Sequence, residues 1–425
     1  MVDILIIADD LTGAIDASAP LIGAGVEILT EYEDDSGAVC ANASARVLSI
    51  NADTRHLGAD EARERVGRLV RDALSAGVGI IVKKTDSALR GNVGAELAGA
   101  LSASGEQAIH FMPAFPGMHR VTREGIQYVD GAPVHESVFA DDPFEPVRVS
   151  RVAEIVAEGT KTPVTLVQET QAPPEHVEGI IVYDATSDDG LYTRVTGMLH
   201  ARGALMLAGC AALVAALARA LDIPSASTLP RSTDKSTLAF CGSVNAVSVD
   251  QCACAREAAA PVKALTAAQI LDARWTRTAE FAAFARDVSE MLASAPLAVV
   301  DASAHVCAGI ADADADAADE ADAIAHLREL VSDNLGHVLA RLLELTEAEN
   351  VLVMGGDILL AMLHALHIDC MQPIAELSAG VVVSRLDLPG RSIRVISKSG
   401  GFGQRDLFLY VADILSKGSY ESCMK

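Results

Sequence analysis

The sequence predicts an α/β protein of two domains, each built on a mainly parallel sheet flanked by helices, with an inter-domain active-site cleft. Three observations carry this. At 425 residues the chain is too long for one small domain. Short continuous apolar runs alternate with amphipathic helical patterns, as in a parallel sheet covered on both faces. A polar Ser/Thr/Pro stretch, Pro224–Ser236, separates two such series. The expected domains are residues 1–230 and 237–425.

Taken in order, Ile4–Ala8 reads as a buried parallel strand, and an Ala-rich helix follows it, stopping near Gly23 and Gly25. Val26–Thr30 and Arg46–Ile50 read as further strands, Ala59–Ala76 as an Arg-rich amphipathic helix, and Gly79–Lys83 as another buried strand. A helix from about Val93 to Ala103 leads to the strand Ala108–Met112. The apolar stretch Gly203–Ala218 lies between Arg202 and Arg219, is short for a membrane span, and reads as a buried core helix. Beyond the polar stretch, Thr237–Cys241, Leu297–Asp301, Val351–Met354, Val381–Leu386 and Ile393–Ser397 are strand candidates, separated by helices such as Glu320–Leu345. The acidic run Asp312–Asp322 lacks the Gly and Glu spacing of a calcium loop and reads as a solvated loop or helix start.

Half of the residues are hydrophobic and only 4% aromatic, so Ala, Val, Leu and Ile must fill the cores. A mean hydropathy of +0.29 excludes a disordered chain. The formal charge of −25 repels phosphate backbones and anionic lipid, which argues against nucleic-acid and membrane partners. A small anionic ligand then needs a local basic pocket. The eight cysteines form no disulfide framework, and the one close pair, Cys252 and Cys254, has no second metal-spaced pair. With no basic signal-peptide start, reduced thiols and a cytoplasmic location are expected. Oligomeric state stays open.

Ligands of open parallel sheets sit beyond the carboxyl ends of strands. The first strand is followed by Asp9-Asp10-Leu11-Thr12-Gly13, the third by Asn51–His56, the next by Lys83–Asn92, and the last by Pro113–Arg120. One rim would therefore gather Asp9, Asp10, Arg55, Lys84, Asp86, Ser87, Arg90, Asn92 and Arg120. Arg forks suit a planar carboxylate, and Asp and Asn suit polyol hydroxyls. Taken singly, each could equally be a helix cap or a solvated loop end. In the second half, strands run into Gly242-Ser243, Gly355-Gly356-Asp357 and Lys398-Ser399-Gly400-Gly401-Phe402-Gly403. Glycines between strand and helix let backbone N–H groups crowd an anion, with Lys398 as a point charge. The P-loop, dinucleotide, nucleophile-elbow, zinc-protease and protein-kinase motifs are all absent from the sequence. One domain for a small polar anion and another for a nucleotide phosphate are most naturally joined by phosphoryl transfer.

The runs IADDLTGAIDA (7–17), KKTDSALRGN (83–92), PAFPGMHRVTREGIQYVDGAPVHES (113–137) and SKSGGFG (397–403) resemble the four-carbon acid sugar kinase family, over essentially the whole chain. The family includes D-threonate, D-erythronate and 3-oxo-tetronate kinases. The resemblance implies ATP-dependent phosphorylation of the 4-hydroxyl of a four-carbon sugar acid, with the acid in the N-terminal domain and ATP in the C-terminal one. It implies acid contacts at Asp9, Asp10, Arg55, Lys84, Thr85, Asp86 and Ser87, with Arg90 close by. It implies ATP contacts at Ser243, Gly355, Gly356, Asp357, Ile358, Lys398, Ser399, Gly400, Gly401 and Gly403. Ile358 stands where the family usually has Thr, and Gly401 where it often has Asn; a cradle of backbone groups survives both changes. Mg²⁺ is expected with ATP, to neutralise charge building on the phosphate oxygens, and its ligands are left unassigned.

The stereochemistry of the acid cannot be read from residue types; threonate or erythronate is favoured over the 3-oxo acid. A dehydrogenase is a weaker reading, because the Asp-Asp turn repels a pyrophosphate. A non-catalytic acid-sugar sensor follows if the altered C-terminal loops do not bind ATP. For the catalytic base, Asp86 is the first candidate, since Lys84 and Arg90 would keep it ionised, and Asp10 is the rival.

Overall fold

Every residue of Ile4–Ala8 is buried, the signature of a strand with helices on both faces. It is the first strand (β1) of a computed structural model that describes residues 2–32, 39–142, 145–174, 176–199, 205–224, 235–243, 245–303, 320–398 and 401–417. The chain divides into two compact units, Met1–Ala226 and Ser227–Lys425.

In the first unit β1 is followed by α1 (Leu11–Ser18), β2 (Val26–Leu29), α2 (Val39–Asn42), β3 (Val47–Asn51), α3 (Ala59–Ser75), β4 (Ile80–Lys84), α4 (Val93–Ser104) and β5 (Ala108–Met112). A small antiparallel sheet comes next, made of β6 (Arg120–Arg123), β7 (Ile126–Val129) and β8 (Ala132–Pro133). Then come α5 (Val152–Gly159), β9 (Val164–Val167), β10 (Gly179–Tyr183), α6 (Asp188–Met198), β11 (Leu205–Gly209) and α7 (Ala211–Ala220). The main sheet runs β2-β3-β1-β4-β11-β5-β10-β9, parallel throughout. Helices α3, α4 and α5 pack together, and α1, α6 and α7 form a second group. The chain leaves β1 toward β2 on one side and leaves β4 toward β5 on the other. The β1/β4 boundary is therefore the switch point, where a crevice opens at the strand ends.

Gly203–Ala218 is not one core helix. Leu205–Gly209 is a central strand between β4 and β5, and the helix begins only at Ala211. An apolar run buried on all sides has no period to distinguish strand from helix, and Gly209-Cys210 marks the break. Among the described residues no helix is long and apolar enough to cross a membrane.

The second unit holds β12 (Thr237–Cys241), α8 (Ala246–Glu257), β13 (Val262–Ala264), α9 (Ala267–Leu271), α10 (Ala279–Ser294), β14 (Leu297–Asp301) and α11 (Glu320–Leu345). It continues with β15 (Asn350–Met354), α12 (Gly356–Ala365), β16 (Cys370–Ser378), β17 (Val381–Leu388), β18 (Arg391–Lys398) and α13 (Leu407–Lys417). Strands β13-β14-β12-β15-β18 are parallel, and β17 and β16 extend the sheet antiparallel. Here the switch point lies between β12 and β15, so their ends at Gly242 and Gly355 flank the crevice. Of the acidic run 312–322, residues 312–319 lie outside the described residues, as do 225–234 of the polar linker.

Candidate active site

At the end of β1, Asp10 caps α1: its carboxylate accepts from Gly13 N at 2.9 Å and from Thr12 Oγ1 at 2.6 Å. Gly13 leaves room for two charged side-chain ends. A Cβ there would lie 2.4 Å from Asp10 Oδ1 and 2.9 Å from Lys84 Nζ, so the lysine ammonium lies against α1 at Gly13. From the loop after β3, the Arg55 guanidinium spans two carboxylates, reaching Asp9 at 2.7 Å and Asp10 at 2.9 Å. Lys84, at the end of β4, donates to Thr85 O at 2.9 Å. Burial works against its charge, yet Asp9, Asp10, Asp16 and Asp86 together raise its pKa.

The loop after β4 is tightly held. Asp86 accepts from Ala88 N at 3.1 Å and takes a two-pronged contact from Arg90, at 2.9 and 3.1 Å. Burial alone would raise its pKa; Arg90, with Arg55 and Arg120, holds it well below the usual carboxylate range. Leu89 sits at φ +66°, a conformation the surrounding contacts impose. Arg120, on β6, donates to Ser87 Oγ, and Gln127, on β7, donates to Ser87 O at 2.9 Å. The Phe139 ring faces both Arg90 and Arg120, at 5.2 and 5.0 Å. Asn92 commits its amide to the carbonyls of Thr54 and Leu57, at 2.9 and 2.8 Å, and so braces the neighbouring loop. Below the rim, Lys83 and Glu96 form a fully buried pair at 3.1 Å, with Thr54 on the same carboxylate.

All the acid-site residues expected from sequence therefore cluster at the β1/β4 switch point. Two buried atoms among them, Asp9 Oδ1 and Thr85 Oγ1, have no hydrogen-bond partner among the described residues. Such atoms are costly unless a ligand or an ordered water satisfies them. Sequence reasoning missed Asp16, whose pKa burial pushes up to about 6. It also missed Gln127 and Phe139, which come from a hairpin and loop with no strand-end motif.

In the second unit, Gly355 caps α12 at φ +122°, where an L side chain is strained. Among the described residues no side chain caps this helix, which leaves its first amides open to an anion. Ile358 is buried and packs where a Cβ on Gly242 would stand, 2.1 Å from its Cδ1, so its side chain is part of the core. Asp357 pairs with Arg328 of α11 at 2.8 Å. Ser243 accepts from Asn245 N at 3.3 Å.

Lys398 is buried, and its ammonium donates to Ser248 Oγ at 2.7 Å and Gln251 Oε1 at 3.1 Å, both on α8. Burial lowers its pKa to about 8. The amide of Gln251 in turn donates to the carbonyls of Phe402, Gly403 and Gln404, at 3.3, 3.3 and 3.0 Å. One α8 side chain thus holds both the lysine and the Gly-rich loop. Ser399 and Gly400 lie outside the described residues. Cys241, Cys252 and Asp301 place ligand atoms within 4.8 Å of one another. Arg256 pairs with that aspartate and Lys398 acts on both thiols, so local charge opposes a divalent cation.

A family model described as a sugar-binding N-terminal domain matches residues 4–217, and one described as a nucleotide-binding C-terminal domain matches residues 238–408. A D-threonate kinase of Bordetella bronchiseptica is 30% identical, covering 96% of each chain. A 3-oxo-tetronate kinase of Methylobacterium radiotolerans is 27% identical, over 96% of this chain and 98% of its own. A D-erythronate kinase of Heliobacterium modesticaldum is 32% identical over 46% of this chain and 48% of its own. Among solved structures, a Salmonella typhimurium chain titled a putative tRNA synthase superposes with a TM-score of 0.74 at 19% identity, covering 96% of this chain and 98% of that one. That likeness concerns the fold alone.

Proposed function

The chain belongs to the four-carbon acid sugar kinase family and is a sugar-acid kinase; from that premise we propose that it transfers the γ-phosphoryl group of MgATP to the 4-hydroxyl of D-threonate or D-erythronate. The first unit takes the acid. Arg55, Lys84, Arg90 and Arg120 supply the positive field for its carboxylate, while Asp9, Asp10, Thr85, Asp86 and Ser87 receive its hydroxyls. Asn92 acts one step back, by fixing the Arg55 loop.

The second unit takes MgATP. Ser243, the amides from Gly356 to Ile358, Lys398 and the loop 399–403 cradle the phosphates. Asp357 and Gly355 shape that turn. Ile358 contributes its amide rather than its side chain, and Gly401 its backbone. An ATP donor supports a cytoplasmic location.

The observation that carries this reading is the pair of buried, unpartnered atoms, Asp9 Oδ1 and Thr85 Oγ1, among cations at a switch point. A coupled ADP-release screen over D- and L-threonate, D- and L-erythronate and 3-oxo-tetronates tests it. ADP release with D-threonate or D-erythronate, abolished by EDTA and restored by Mg²⁺, is the expected result. Preference for a 3-oxo acid moves the substrate; acid binding without any turnover makes the chain a sensor.

A further inference from the structure

Phosphoryl transfer to an alcohol needs a place for the hydroxyl proton, and the acceptor must have an open lone pair. Most carboxylates on the acid-binding rim are already engaged by cations. Asp9 holds Arg55 through Oδ2 and keeps Oδ1 for a substrate hydroxyl, Asp10 pairs with Arg55 and caps α1, Asp86 is gripped by Arg90 and Ala88 N, and Glu96 is held by Lys83 and Thr54. Asp142 is paired with Arg90.

Asp16 differs. Its side chain makes no hydrogen bond or ion pair among the described residues, and it is part-exposed rather than sealed in the core. It lies three and four residues beyond Gly13 and Thr12, on the same face of α1 as Gly13, against which the Lys84 ammonium lies. The charged groups acting on its carboxylate are Lys84, Asp10 and Arg120, with the Cys210 thiol alongside. Of the other groups on elements packed on α1, β4 carries Lys83, paired with Glu96, β2 offers only Glu27, and α7 only Arg219, which is tied to Asp189.

We propose that Asp16, rather than Asp86 or Asp10, is the carboxylate that accepts the substrate proton. The step rests on the kinase reading above. The hydroxyl oxygen of the acid forms a bond to the γ-phosphorus while the bond from that phosphorus to the bridging oxygen breaks, and ADP leaves with the electron pair. The proton passes to Asp16 and then to solvent. Lys84 and Arg120 favour the ionised carboxylate before the transfer, and burial keeps it basic enough to accept a proton near neutrality.

Asp16→Asn keeps the shape and removes the proton acceptor. On the acid that the wild-type protein phosphorylates, its kcat should fall by roughly 10²–10⁴, with KM for acid and ATP changing less than about threefold. The wild-type kcat should also fall tenfold per pH unit below about 6. Asp86 as base would place that limb well below the ordinary carboxylate range. A variant that keeps more than about a tenth of wild-type kcat overturns the proposal. So does a flat wild-type profile between pH 7 and 5, which decides the matter even if the variant does not fold. A wild-type protein that turns over none of the acids refutes the kinase reading instead.

Discussion

Below pH 8 the Lys398 ammonium is charged although it is buried and faces two neutral acceptors on α8. An incoming triphosphate would stabilise that charge and raise the pKa. Linkage then requires ATP affinity to fall as pH rises past the free-protein value, by at most tenfold per unit. Competition binding at pH 7, 8 and 9 should show the decline, and Lys398→Met should bind weakly at all three. Affinity unchanged across that range would make Lys398 a peg between β18 and α8. Lys398 and the acid-site residues were legible because each lies at the end of an apolar strand run or in the loop that follows it. Asp16 was not: a single acid inside an Ala-rich helix carries no spacing signal. Its setting comes from β4 and β6, which lie 68 and 104 residues away along the chain (84 − 16 and 120 − 16).

Most strands wholly buried between helices announce themselves as apolar runs, and five of the second unit's strands fall within two residues of their expected limits, although the equally buried β10 was not among those expected. The half-exposed β6–β8 and β9 carry no such run, and β11 merges with α7 into one apolar stretch. The turn between β15 and α12 was legible as Gly-Gly-Asp, but its demand on conformation was not. Gly355 needs φ +122°, and a Cβ there would stand 3.0 Å from Ile358 Cδ1. Gly355→Ala should therefore cost about 1–3 kcal/mol and lower Tm by several degrees. It should also weaken ATP binding, because the open amides of α12 shift with the turn. Gly401→Ala is the control: a Cβ there meets nothing within 4 Å, so Tm should hold. Equal loss in both variants, followed by thermal melts, would show that the turn's geometry is not the cause.

At the scale of the molecule, each unit has its own apolar core, one drawn from residues 2–208 and the other from 239–415. The bonds that shape the acid site join residues of the first unit, and those around Lys398 join residues of the second. Binding of each ligand should then be decided by one unit, although turnover needs both. Arg90→Ala removes a charged fork and leaves Asp86 without its main partner, so acid binding should weaken by about 1.5–3 kcal/mol, roughly 10- to 150-fold. ATP binding to the same variant should stay within about twofold, since the altered residue shares no bond with the nucleotide site. Lys398→Met should do the reverse, and the double variant should show both losses undiminished. Calorimetric titration of each ligand into the four proteins measures all eight affinities. If Arg90→Ala weakens ATP as much as acid, the two sites share a structural element that neither core contains, and their independence is refuted.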